Sequence, residues 1–242
     1  MNLELDVTLV VPALGRPELT KRLLDSLKET NAQYPIILVD DGTQPPLAKQ
    51  LPEYPTLHLT YIENQRSVGP ATARNIGIWN SHTPFVAFTD NDVAVTQDWV
   101  PKLYWHLLNA PADVAGVGGQ VIDDGLNLVG QYSTRLCLLN PYMYKNRVLY
   151  LVTANCLFRR DALIEIGGFD ESFKLPGGED PELSFRLLRA GYRLEYEPAA
   201  QVIHHYTSSW LGFYRMFFRY GSGCRKAMQS LAIRSHQDKY GL

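Results

Sequence analysis

The sequence predicts an α/β fold in which helices flank a mostly parallel central sheet and a helical extension closes the chain. Three observations predict it. Short apolar, β-rich runs alternate with helix-like stretches, the pattern of successive βαβ units. Each run passes straight into polar or turn residues, so the strand-end loops gather at one edge, where open parallel sheets bind ligands. With 242 residues, 45% hydrophobic and 20% charged, the chain can bury one large core, or one core with a small appendage.

The elements follow in order. Residues 7–11, 36–39, 57–62 and 85–89 read as strands, and 18–29 and 71–79 as helices among them. The loop 12–17 follows the first strand, Asp40-Asp41-Gly42 the second and Asp90-Asn91-Asp92 the fourth. Residues 99–109 read as a helix and 114–121 as a strand. The Tyr- and Asn-rich stretch 132–146 has no clear period and reads as a loop lining the acceptor side, and 148–158 reads as one strand. Asp161 is placed to cap a short helix ending at Gly167-Gly168. Asp180 is placed to cap another, with Pro181 as its first residue, Ala190 as its last and Gly191 closing it. Residues 193–197 and 200–204 read as short strands, and from Ser209 the pattern is helical, aromatic and basic.

Composition narrows the function classes. No stretch approaches the roughly 20 apolar residues of a spanning helix. The start, MNLELDVTLVVP, lacks the basic opening and cleavage site of a secretory signal, so a cytoplasmic location is the expectation. Cys137, Cys156 and Cys224 form neither a CxxC pair nor an even framework and read as buried, reduced thiols. The net charge of -2 hides an asymmetry, because residues 205–242 carry six Lys/Arg against one acid and the rest 17 against 24. Such a tail suits an anionic partner, or is a solvated basic helix face. Its aromatic and basic stretch 210–220 can lie peripherally in a membrane interface, or pack as a core helix or homo-oligomer contact. No RNA-binding motif accompanies it, so no nucleic acid partner is expected.

Several clusters carry chemistry. Asp90 and Asp92 end an apolar strand, and such paired carboxylates can ligate Mg²⁺ or Mn²⁺ while phosphate oxygens complete the shell; a plain Asx-rich turn is the alternative. Asp40 and Asp41 are placed to accept bonds from a ribose hydroxyl or a base, or to build a tight turn. Gly69-Pro70 opens a helix carrying Arg74, whose guanidinium can face a phosphate or simply the surface. Glu179 and Asp180 stand at a loop-to-helix junction, where one can deprotonate an acceptor hydroxyl or both can serve as capping acids. His204 or His205 can add an imidazole to a metal, or be an ordinary hydrogen-bonded histidine.

In order, TLVVPALGRPELTKRLLDSL, IILVDDGT, NQRSVGPATARNIGI, FVAFTDNDVAV, LFRRDALIEIGGFDESF, GGEDPELSFRLLRAGYRL and VIHH resemble the family 2 glycosyltransferases, over about residues 7–205. The resemblance implies a GT-A fold in residues 1–208, with a nucleotide-sugar half to about residue 110 and an acceptor half from 111, followed by the extension 209–242. It implies Pro12, Leu14, Arg16, Asp40 and Asp41 near the nucleoside and Arg74 near the nucleotide. Asp90, Asn91 and Asp92 would form the DxD motif for metal and diphosphate, with Asp90, Asp92 and His204 on Mn²⁺ or Mg²⁺ and Asp180 as catalytic base beside Glu179. Transfer would be inverting, from a nucleoside diphosphate sugar, UDP favoured, to a glycan, lipid-linked, peptide or small-molecule acceptor. The first loop departs from many relatives, which carry an aromatic and an Asn at the positions of Leu14 and Gly15. A sugar nucleotidyltransferase usually has a longer Gly-rich first loop with a Lys, which residues 11–18 lack. A non-catalytic partner of the same fold would have little use for Asp90, Asp92 and Asp180 together.

Overall fold

Strands β1 (Val7–Ala13), β2 (Ile36–Asp40) and β4 (Phe85–Phe88) are buried at every position. Strands covered by helices on both faces need apolar residues throughout, which is why they appear in the sequence as unbroken runs. The computed structural model describes residues 5–240, with side chains in the last helix described as far as Gln229. β1 pairs in parallel with β2 and β4, and β2 in parallel with β3 (Leu59–Glu63). The sheet is completed by β5 (Val93–Val95), β6 (Val114–Asp123), β9 (Cys156–Arg159) and β10 (Arg193–His204), while β7 (Tyr142–Tyr144) and β8 (Arg147–Tyr150) form a separate hairpin. The strand order is β3-β2-β1-β4-β9-β6-β10-β5, with β9 antiparallel to both neighbours and β5 antiparallel to β10. The chain therefore reverses its progress across the sheet between β1 and β4, and a crevice opens at their carboxyl ends.

The helices cover both faces. Along β1, Leu9 and Val11 face one apolar cluster and Val10 the other, as the period of two requires. The first cluster takes in Leu23, Leu24 and Leu27 of α1 (Pro17–Glu29) and Trp99 and Leu103 of α3 (Trp99–Asn109). The second takes in Ile78 of α2 (Pro70–Asn80), Leu163 of α5 (Arg160–Glu165) and Leu183 and Leu187 of α6 (Glu179–Arg189). Two further helices are α4 (Leu128–Arg135) and α7 (Trp210–Tyr240).

Several sequence expectations are corrected. The stretch 132–146 is not one long loop: it holds the last turn of α4, whose start is capped by Asn127 Oδ1 accepting from Gly130 N at 2.8 Å, and then, after a short turn, β7. β7 turns into β8 through Lys145 and Asn146, whose φ values of 47° and 61° suit a two-residue hairpin turn. Residues 148–158 are two strands, separated by a buried polar turn in which Asn155 Nδ2 donates to the carbonyls of Gln120 and Ala200. β10 is one strand interrupted by a bulge between Glu197 and Gln201, around Pro198, which cannot donate to the ladder. α6 begins at Glu179 with Gly178 as its cap residue, and α5 follows Arg159, so neither Asp180 nor Asp161 is an N-cap. Of the three thiols only Cys156 is buried; Cys137 and Cys224 are exposed.

α7 crosses the start of α6 at close range. A Cβ on Gly223 would lie 1.8 Å from the carbonyl oxygen of Gly177, and Gly177 and Gly178 themselves have φ of 119° and 98°. Only glycine satisfies both the left-handed backbone and the approach.

Candidate active site

The site is assembled from the loop ends of the sheet. After β1 the chain turns through exposed Leu14, half-buried Gly15 and exposed Arg16, and Pro17 starts α1 with Glu18 in its first turn. Pro12 is buried within β1, opposite Val39. Arg16 Nη1 donates to Asp92 Oδ2 at 3.0 Å, and Asn91 Nδ2 donates to Thr20 Oγ1 at 3.0 Å. These bonds hold the loops after β1 and β4 together across the crevice.

At the end of β2 two carboxylates are committed to the backbone. Asp40 accepts from Thr43 N at 3.0 Å, from Leu47 N at 2.8 Å and from the Tyr61 hydroxyl. Asp41 accepts from Asn64 Nδ2, Ser67 Oγ, Val68 N and Gly69 N, all at 2.7–3.0 Å. Both are buried, so here Asp40 fixes the loop after β2 and Asp41 the loop leading to α2.

That loop delivers Arg74, which is 4% exposed. Its Nη2 donates to Asp90 Oδ1 at 2.9 Å and its Nη1 to Glu179 Oε1 at 3.1 Å, with Phe169 beneath the guanidinium. Burial alone would disfavour its charge, but Asp90, Asp180 and Glu179 outweigh burial and hold its pKa up. Glu179 is buried, and its other oxygen accepts from Gly177 N at 2.6 Å, so it braces Arg74 and the glycine loop.

Asp90 and Asp92 differ. Burial, assisted by Asp92, pushes the Asp90 carboxyl above the usual range despite Arg74. Burial acts the same way on Asp92, but His204 and Arg16 overcome it and hold that carboxyl below the usual range. His204 Nε2 lies 3.3 Å from Asp92 Oδ1; burial lowers the imidazole pKa, while Asp92 and Asp90 raise it above the ordinary value on balance. His205 turns away, its Nδ1 lying 2.7 Å from Asp124 Oδ2, so His204 is the histidine that meets the DxD motif.

Asp180 lies in the first turn of α6 with its carboxylate held from outside the helix. Thr153 donates to it twice, from its amide at 3.1 Å and from its hydroxyl at 2.9 Å. Burial and then the neighbouring Glu179 push its pKa up to about 7, against the pull of Arg74. Pro181 is tolerated because first-turn amides have no intrahelical partner.

The structure thus joins Arg16, Arg74, Asp90, Asp92, His204, Glu179 and Asp180 in one network, and leaves Asp40 and Asp41 supporting the adjacent loop. Sequence reasoning missed Thr153, which orients Asp180, and Tyr61, which holds Asp40; neither lies in a motif, and each acts across a long sequence separation. It also missed Tyr220 of α7, whose buried hydroxyl is held well above its ordinary pKa by burial, then by Asp90, Glu179 and Asp180, against Arg219.

Among the described residues no three His, Cys, Asp or Glu side chains form a ready metal cage. Asp90, Asp92 and His204 nevertheless offer two carboxylates and an imidazole, a donor set suited to Mn²⁺ or Mg²⁺ with phosphate oxygens completing the shell. The Nδ1 of His204 is buried without a partner, and Asp92 is held by the Arg16 guanidinium and the His204 imidazole, positions that a metal can take over.

Residues 8–167 match the model of glycosyl transferase family 2, and residues 134–208 match a model described as the N-terminal domain of galactosyltransferase. The chain is 33% identical over 247 aligned residues to the pre-mycofactocin glycosyltransferase of Mycobacterium tuberculosis, an alignment covering 97% of this chain and 49% of that protein. It thus spans about half the length of that relative. Among solved structures it is similar to the Pyrobaculum calidifontis mannosyltransferase PcManGT in complex with GDP-Man and Mn²⁺, with TM-score 0.68, 19% identity and coverage of 96% of this chain and 65% of that one. It is also similar to S. aureus TarS in complex with UDP-GlcNAc, with TM-score 0.62, 15% identity and coverage of 86% and 60%. These likenesses show the GT-A fold that the sequence resemblance implies.

Proposed function

The chain belongs to glycosyl transferase family 2, and from that membership we propose that it moves a sugar from a nucleoside diphosphate sugar to an acceptor hydroxyl with inversion at the anomeric carbon. The observation that carries this reading is Asp180: a carboxylate with a pKa near 7, oriented by Thr153 and facing a buried arginine–carboxylate network. A base poised near neutrality combines availability with proton affinity.

In the proposed reaction Asp180 accepts the proton of the acceptor hydroxyl. The acceptor oxygen forms the new bond to the anomeric carbon as the bond to the diphosphate oxygen breaks, and the nucleoside diphosphate departs. Asp90, Asp92 and His204 would hold a divalent cation, which when bound neutralises the leaving diphosphate. Arg74 keeps Asp90 and Glu179 in register, and Glu179 positions rather than reacts. Asp40 and Asp41 act by shaping the nucleoside loop, with Pro12 and Leu14 beside it and Arg16 at its mouth. A uridine donor is favoured, as in the TarS complex; the PcManGT complex makes a guanosine donor the next to try. Glycans, lipid-linked sugars, peptides and small molecules are the acceptor classes.

The test is thermal stabilisation by UDP, GDP, TDP and CDP, each with and without Mn²⁺ or Mg²⁺. A diphosphate at a hundredfold excess over its dissociation constant adds roughly 2.7 kcal/mol to stability. A shift with one base that needs metal is expected, and chelation should abolish it. Asp92→Ala should remove the metal requirement together with the shift. No shift in a folded sample would turn attention to a non-catalytic partner, and pyrophosphate release from a nucleoside triphosphate and a sugar phosphate would identify a nucleotidyltransferase.

A further inference from the structure

The long helix α7 has two unlike faces. One packs on the protein: Ala227 is buried in the apolar cluster with α6, and Gly223 abuts the loop before Asp180. The other exposes Trp210, Tyr214, Phe217 and Phe218, the last 73% exposed. At about 100° per residue these four fall within roughly a third of the helix circumference. α4 extends the same patch, since Tyr132 meets Trp210 edge-on at 6.1 Å and Phe213 at 5.8 Å, and Leu128 one turn earlier is exposed. An aromatic surface spread over two adjacent helices is more than the scattered apolar residues of an ordinary monomer surface.

Charge says what kind of partner covers it. The sequence holds no Asp or Glu between Glu197 and Asp238. Arg215 and Arg225 on α7 and Arg135 on α4 are exposed and have no carboxylate partner among the described residues. A patch for a second copy of this chain would set these arginines against arginines. An anionic bilayer instead takes the rings into its interfacial layer and the guanidinium groups among its phosphates. No helix among the described residues is long and apolar enough to cross a membrane, so the geometry is that of a helix lying on a surface.

We propose that the face formed by α7 and α4 docks on anionic phospholipid bilayers. The proposal stands apart from the transferase reading, because vesicle binding needs neither donor nor acceptor. It is tested by flotation of the full chain with vesicles of phosphatidylcholine alone and of three parts phosphatidylcholine to one part phosphatidylglycerol. The chain is expected to float with the anionic vesicles and to be released by about 1 M salt. Arg215→Glu with Arg225→Glu should weaken anionic binding roughly thirtyfold or more. Trp210→Ser with Phe218→Ser should abolish flotation while lowering the melting midpoint only slightly, since both rings are more than half exposed and Trp210 gives up only its edge contacts with Tyr132 and Phe213. Failure of the wild type to float, equal flotation on neutral vesicles, or full binding by the Trp210→Ser/Phe218→Ser variant would overturn the proposal. So would a concentration-dependent dimer that this variant dissolves in a chain that does not bind vesicles, an outcome that gives the face to a second copy.

Discussion

Two acidic pairs, at the ends of β2 and β4, look alike in sequence and are used in opposite ways. Asp40 accepts three hydrogen bonds and Asp41 four, from backbone amides and neutral side chains, so the fold itself solvates their charge. Asp90 and Asp92 are held by the Arg74 and Arg16 guanidinium groups and the His204 imidazole, whose place a ligand can take. Asp180 is a third case: it accepts only two bonds, both from Thr153, and burial beside Glu179 pushes its pKa up despite them. A carboxylate satisfied by amides has its charge solvated by the fold, whereas one held between charged groups under burial depends on what stands beside it.

The comparison can be broken at either pair. Asp180→Asn should lower transfer by about 10²- to 10⁴-fold, as loss of a general base does, with metal-dependent diphosphate binding and the melting midpoint retained. Substantial residual turnover would remove Asp180 from the base role. Next in size, Asp41→Ala strands several donors and should cost about 3 kcal/mol or more in urea unfolding. Asp90→Asn removes a charge that burial already opposes and should stay within about 1 kcal/mol. Equal losses would erase the distinction.

pH sharpens the comparison further. With the Asp180 pKa at about 7, kcat/KM should fall tenfold per pH unit below that value. The sign for stability is opposite. Folding raises this pKa from 3.8, so the folded chain keeps a proton that the unfolded chain releases, and stability from this group declines as pH rises from about 4 to about 7. The smallest effect is expected of Thr153→Val, which removes one donor to the ionised carboxylate and should move the acidic limb up by about one unit. The plateau rate at high pH should not change.

Much of the parallel half was legible because its strands are buried on both faces and end in Asp-rich turns, so apolar run and polar loop mark the same boundary. The remainder hid for physical reasons. β5 has three residues, too few to show a period, and follows directly on the DxD turn. The turn between β8 and β9 is buried, so it lacks the exposed polar character by which loops are found. Asp180 before Pro181 has the sequence of a helix cap, yet Thr153 draws its carboxylate away and Gly178 supplies the left-handed backbone at the start of α6. The site residues in motifs were all visible as candidates. The way each is held was not, because it depends on partners such as Tyr61, Thr153 and Arg74 that meet them only in three dimensions.

The contact between Gly223 and Gly177 also restricts how this protein can diverge. Neither residue has a side chain to trim, and even a methyl group on Gly223 would meet the Gly177 carbonyl at 1.8 Å. Substitution there runs in one direction only, toward forcing α7 off the loop that precedes Asp180. Change in this part of the molecule must therefore fall on side chains that have something to lose, such as Tyr150 and the Tyr142 stacked on it at 5.4 Å, while the glycine seam stays as it is.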